Sequence, residues 1–123
     1  MSIELLVAKV QATRDAAHQK HWAVTGQASY AQHMALDGLY SDLPGLIDEI
    51  VECLQGVTGK RIGEIPSVNR PKLDMIITHL ASELEWIEAN RGKIAQGHAF
   101  IENQIDELSA LYAKALYKLR FLG

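Results

Sequence analysis

Cysteine is nearly absent from this chain: Cys53 stands alone among 123 residues. A lone thiol excludes an internal disulfide and any cluster built from cysteines only, and it fits a reducing, cytoplasmic setting. Proline occurs only at positions 44, 66 and 71, so long stretches carry no helix breaker. Positive charge is not in excess, with 12 Lys+Arg against 15 Asp+Glu and a formal charge of −3. Nucleic-acid binders that work through bulk charge are basic, so this balance argues against one. No apolar run approaches the ~20 residues needed to cross a bilayer. The opening Met-Ser-Ile-Glu-Leu-Leu-Val-Ala-Lys meets an acid at Glu4 and a base at Lys9, which is not the pattern of a signal peptide. Sustained two-residue alternation, internal repeats and low-complexity tracts are missing too.

What is present is 48% hydrophobic residue content, enough for one domain over residues 1–123 with a core of its own. Apolar positions recur at helical spacing over 2–25, through Ile3, Leu6, Val7, Val10, Ala17 and His21, with Ser2 as a cap and Gly26 as a stop. A second stretch runs from Ser29 to about Leu54 through Met34, Leu36, Leu39, Tyr40, Leu43, Ile47, Ile50, Val51 and Leu54. Pro44 lies inside it, and an interior proline predicts a kink or short break there. Residues 55–71 collect Gly56, Gly59, Gly63, Pro66 and Pro71 and read as a loop. A third helix is expected over about 71–95, with Leu73, Ile76, Ile77, Leu80, Leu84, Ile87 and Ile94 inward. Gly97 separates it from a fourth over about 99–122, with Ile101, Ile105, Leu108, Tyr112, Ala115, Leu116, Leu119 and Leu122 on one stripe. The expected fold is an all-α, antiparallel four-helix bundle.

The polar residues of the first two helices form a pattern. His21 ends the first helix, and His33, Asp37, Asp48 and Glu52 lie on the second. His33 and Asp37 are four apart, as are Asp48 and Glu52, so each pair projects from adjacent turns of one face. Eleven residues separate Asp37 from Asp48, which at ~100° per residue returns to within roughly 20° of the same face. Mixed imidazole and carboxylate donors suit iron, zinc or manganese better than calcium or magnesium. Yet eleven residues at 1.5 Å rise is roughly 16 Å, too far for both pairs to share one ion within a chain. Two copies packed antiparallel about a two-fold near residues 42–43 would bring His33 and Asp37 of one against Asp48 and Glu52 of the other. A solvated helix face carries the same residue types, and spacing alone does not separate the two.

The segment His21-Trp22-Ala-Val-Thr-Gly26, followed by Tyr30, His33, Asp37-Gly38, Ile47-Asp48 and Glu52, resembles the ferroxidase signature of the Dps family of mini-ferritins. The closing Tyr117-Lys118-Leu119-Arg120-Phe121-Leu122 is similar to the end of that family's last helix. The resemblance implies a ferritin-like bundle with one crossover loop, here about 55–71, assembled into a hollow twelve-subunit shell. It implies oxidation of Fe(II) by peroxide or oxygen and storage of ferric mineral. By position, His21, His33 and Asp37 would come from one subunit and Asp48 and Glu52 from its mate, with His18 and Trp22 as accessory positions and zinc as a surrogate ion. The loop leaves little room for the small helix such proteins carry between their second and third helices. Many of them bind DNA through a lysine-rich N-terminal tail; the opening here enters a helix at once, so DNA binding by that route is not expected. Two further classes stand beside this reading: a structural or interaction bundle with a vestigial or zinc-binding site, and, more weakly, a DNA-protecting binder.

The remaining candidates read as structural. His79 and His98 lack partners at ligand spacing and are expected to face solvent. Cys53 is expected to be a small buried thiol, and Trp86 to pack in the core or at an interface. Gly56-Val-Thr-Gly59-Lys60-Arg61 resembles a phosphate loop only superficially, lacking the earlier glycine and the Ser/Thr after the lysine. The basic pairs Lys60-Arg61, Arg70/Lys72, Arg91/Lys93 and Lys114/Lys118/Arg120 read as solubilising.

Overall fold

The computed structural model describes residues 2–26 and 29–122, and among them there is no strand. Four helices follow in order: α1 (Ser2–Ala23), α2 (Ser29–Thr58), α3 (Ile76–Ala95) and α4 (Ala99–Phe121), with a 3-10 turn at Leu73–Met75 leading into α3. No helix of the described residues is long and apolar enough to cross a membrane. The residues that the helical spacing points inward form one core: Leu6, Val10, Leu36, Leu39, Leu43, Ile50, Leu80, Ile87, Ile101, Ile105 and Leu108 are all but fully buried. Met34 and Leu122 depart from the expected stripes and are exposed.

Side-chain pairs set the helix directions. On α1 and α2, His18 stacks on Tyr40 and His21 on His33, so these two run antiparallel. Lys9 lies over the Trp86 ring while Thr13 meets His79 and Glu83, which makes α3 antiparallel to α1. Arg91 bonds Glu102, Glu88 bonds Ser109 and Glu83 bonds Tyr112, the same relation between α3 and α4. It follows that α2 and α3 run the same way, and the segment 59–72 must climb back between them. Gly63 N–H donates to the Glu4 carboxylate at 2.7 Å, Pro66, Ser67, Val68 and Arg70 share a cavity wall with Ala8, Gln11, Ala12 and Asp15, and the 3-10 turn also packs on α1. The connection ascends α1.

Helix ends and the Pro44 region differ from the sequence reading: α1 stops at Ala23 instead of 25, and α3 begins at Ile76 instead of about 71, after the 3-10 turn. The loop expected over 55–71 begins later, because α2 continues to Thr58. Gly56 leaves the helix intact; Gly59 ends it, at φ 71°, where a left-handed residue closes the last turn by donating its N–H to Gln55. Pro44 does not break α2 either. It removes one backbone hydrogen bond, but Leu39, Leu43, Ile47 and Ile50 are buried on both sides of it and hold the two halves in one groove.

The Glu4–Gly63 link also fixes a pH dependence. The Gly63 N–H holds the Glu4 carboxyl below the usual carboxylate range, against the opposing effect of burial. A depressed carboxylate contributes stability above its unfolded-state value and loses it as pH falls through the folded-state value. Chemical denaturation of Glu4→Gln should therefore show a deficit at neutral pH that shrinks in acid. A deficit that stays constant below the glutamate range would contradict this role.

Candidate metal centre

The C-terminal turn of α1 and the first turns of α2 bring His21 and His33 face to face, their rings stacked with centroids 3.6 Å apart. Each ring reaches the other residue's backbone: His21 Nδ1 lies 3.1 Å from the His33 carbonyl, and His33 Nδ1 lies 3.3 Å from the His21 carbonyl. A carbonyl can only accept, so each Nδ1 carries a proton. A neutral imidazole bonded in this way keeps its lone pair on Nε2, the arrangement in which second-shell carbonyls orient metal-binding histidines. The His21 carbonyl belongs to the last turn of α1, where helix geometry leaves acceptors unpaired, and the His33 ring fills that vacancy.

Asp37 follows one turn after His33 and accepts the Tyr40 hydroxyl at 3.0 Å. That bond holds the Tyr40 phenol above its ordinary range, so the hydroxyl stays a donor. Tyr40 stacks on His18 at 4.2 Å and meets His21 edge-on at 5.2 Å. Trp22 lies against His18 at 4.2 Å and is 69% exposed, a surface aromatic with little packing. The sequence reading treated Tyr40 as an apolar position only; its spacing of three from Asp37 was the available signal for the pair.

Asp48 and Glu52 lie farther along α2 and are exposed. Because α2 is unbroken, the ~16 Å between Asp37 and Asp48 stands. Among the described residues, no group of three His, Cys, Asp or Glu side chains could hold a metal ion. One chain thus offers a paired imidazole at one place and a carboxylate pair at another.

The same face of α2 has a further property. Tyr30, Met34, Asp37, Ser41, Gly45, Asp48 and Glu52 fall within an arc of about 80°, and all but the half-buried Asp37 are exposed. An added Cβ at Gly38 or Gly45 would meet nothing within 4 Å. Neither glycine is required by packing inside the chain, although each costs a helix interior about 1 kcal/mol relative to alanine. Their midpoint falls between Ser41 and Asp42, within about one residue of the two-fold position that ligand pairing requires.

A family model described as a family of unknown function, DUF5856, matches residues 21–119. The chain belongs to the DUF5856 family. The DUF5856 match begins at His21, takes in His33, Asp37, Asp48 and Glu52, and covers α2, α3 and most of α4. No curated protein and no solved structure matches the chain.

The sequence reading missed a second polar cluster, which lies inside the DUF5856 bundle. Glu83 is only 4% exposed. Its Oε2 accepts the Thr13 hydroxyl from α1 and the Tyr112 hydroxyl from α4, the latter at 2.5 Å. His79, one turn earlier on α3, places Nε2 2.7 Å from Thr13 Oγ1 and 3.4 Å from Glu83 Oε1. His79 therefore does not simply face solvent, as expected from its apparent lack of partners; the bundle supplies them from two other helices. Burial, then the Glu83 charge, pushes the Tyr112 phenol well up. The sequence signal for this cluster was the spacing of four between His79 and Glu83. Cys53 is half-buried, with its Sγ 3.1 Å from Gln104 Nε2. Trp86 packs partly buried against the core under the Lys9 ammonium.

Proposed function

We propose that this DUF5856 chain is a ferritin-like ferroxidase of the Dps type, with Fe(II) bound between two-fold-related copies, oxidised there, and stored as ferric iron in a hollow oligomer. The observation that carries this reading is the His21–His33 pair. Both rings spend Nδ1 on a backbone carbonyl and so have Nε2 to offer a metal. The ascending 59–72 connection and the shared direction of α2 and α3 support a ferritin-like crossover. The open glycines of α2 support a closely packed second copy.

The roles follow from donor chemistry. His21 and His33 take the incoming divalent ion through neutral nitrogen. Asp37, with Asp48 and Glu52 of the second copy, adds carboxylate charge, which stabilises Fe(III) more than Fe(II) and favours loss of the electron. Two Fe(II) ions each give one electron to hydrogen peroxide, which takes up two protons and leaves as two waters. Tyr40 fixes one oxygen of Asp37 and so aims the other. His18 lies beside His21, with centroids 6.3 Å apart, and Trp22 covers His18 from the outside.

Adding Fe(II) and peroxide to the metal-free protein and following ferric absorbance tests the reading; a rate no faster than buffer overturns it. A dimer that retains zinc yet leaves the buffer rate unchanged is instead the structural bundle. The interface has its own test. Leucine at both Gly38 and Gly45 should prevent close approach of the two α2 helices and weaken self-association by about tenfold or more, read by analytical ultracentrifugation. Circular dichroism should show the helices intact, since both positions are open within the chain. Unchanged association would place the interface elsewhere.

A further inference from the structure

At the end of the bundle opposite the histidine pair lies a cavity of about 380 Å³. Its wall is built from the first turn of α1 (Ser2, Ile3, Glu4), the end of α2 and the residues after it (Thr58, Lys60, Arg61, Ile62), and the end of α3 (Lys93, Gln96). The Gly59 turn carries Lys60 and Arg61 to this wall. That turn is tied down by Thr58, whose hydroxyl donates to the Leu54 carbonyl at 2.8 Å and accepts the Lys60 N–H at 3.3 Å.

The cavity holds the opposite charge from the chain. Lys60, Arg61 and Lys93 contribute three positive charges against the one negative charge of Glu4, so the wall is net positive in a protein of −3. Among the described residues, Lys60, Arg61 and Lys93 make no ion pair. Unpaired cations in a concave wall focus field lines and concentrate anions. An arginine guanidinium and two lysine ammonium groups on one wall suit an oxyanion.

We propose that this cavity binds a small oxyanion of charge two or more, of the pyrophosphate or nucleotide class. Three cations without an ion-pair partner on one wall favour a multiply charged anion over a single carboxylate. The space is that of a small-molecule pocket. The proposal is independent of the metal centre, which lies at the other end.

Titration calorimetry at about 50 mM salt, where surface charge is weakly screened, with pyrophosphate, ATP and adenosine as probes, tests it. Pyrophosphate and ATP should bind and adenosine should not; tighter binding of ATP marks a nucleotide site. The exposed-residue variant Arg61→Gln/Lys93→Gln should lose about tenfold or more in affinity with an unchanged thermal melt. Failure of both anions to bind, or equal affinity in the variant, overturns the proposal. Preference for duplex DNA over ATP, abolished by the same variant, also overturns it and assigns the cations to nucleic acid.

Discussion

Mixing two inactive variants should restore Fe(II) oxidation to about a quarter of the wild-type rate. One variant, His33→Ala/Asp37→Ala, lacks one half of the proposed site, and the other, Asp48→Ala/Glu52→Ala, lacks the other half. Alone, each should oxidise Fe(II) no faster than buffer, because every inter-subunit site in it is short of two donors. In a random mixture, a site is intact only when its imidazole side comes from the second variant and its carboxylate side from the first. Each choice has a probability of one half, so about one site in four is whole, whatever the size of the closed assembly. Co-expression with distinguishable tags, followed by mass spectrometry of the purified oligomer, establishes that the subunits have mixed. Mixed oligomers without recovered activity would sink the shared site. Activity retained by either variant alone would show that one chain suffices, against the ~16 Å that separates Asp37 from Asp48 on an unbroken α2.

The helices were legible because their signal is local. Leu36, Leu39, Leu43, Ile47 and Ile50 repeat at the spacing that a buried helix stripe requires, and all five are buried. The ends were less legible. Gly56 and Gly59 look alike in composition, and only the left-handed turn at Gly59 distinguishes the one that stops α2. Pro44 predicts a break from local chemistry alone, whereas the continuity of α2 is decided by burial against other helices. The proposed ligands were visible as spacings, but their chemistry depends on carbonyls twelve residues away, which orient His21 and His33. Of the Thr13–His79–Glu83–Tyr112 cluster, only the spacing of four between His79 and Glu83 was a local signal. The cluster's partners are joined across separations of 66, 70 and 29 residues, and no local pattern encodes which polar residues meet in a core.

That cluster carries the largest expected effect on stability. Glu83→Ala should destabilise the fold by about 3–5 kcal/mol, from two buried hydroxyls left without their acceptor together with the side-chain volume lost. The Thr13 and Tyr112 hydroxyls would lose their shared acceptor where water does not replace it, since both residues are fully buried. Against the 5–15 kcal/mol typical of a whole domain this is a large fraction, visible as a fall of roughly 10–20 °C in Tm. Glu83→Gln keeps the volume and an acceptor oxygen but offers an amide N–H to a site furnished with donors, and should cost about 1–3 kcal/mol. The combination Glu83→Leu/Tyr112→Phe/Thr13→Val removes acceptor and donors together and should recover most of the loss, because an apolar replacement of similar shape leaves no buried group unsatisfied. His79 needs no replacement, since its side chain is 25% exposed and reaches water. A cost below about 1 kcal/mol for Glu83→Ala, or a triple variant no more stable than Glu83→Ala, would mean that the hydroxyls do not depend on the carboxylate. Between α1, α3 and α4, the carboxylate acts as a common acceptor that a shifted helix register would leave unmade.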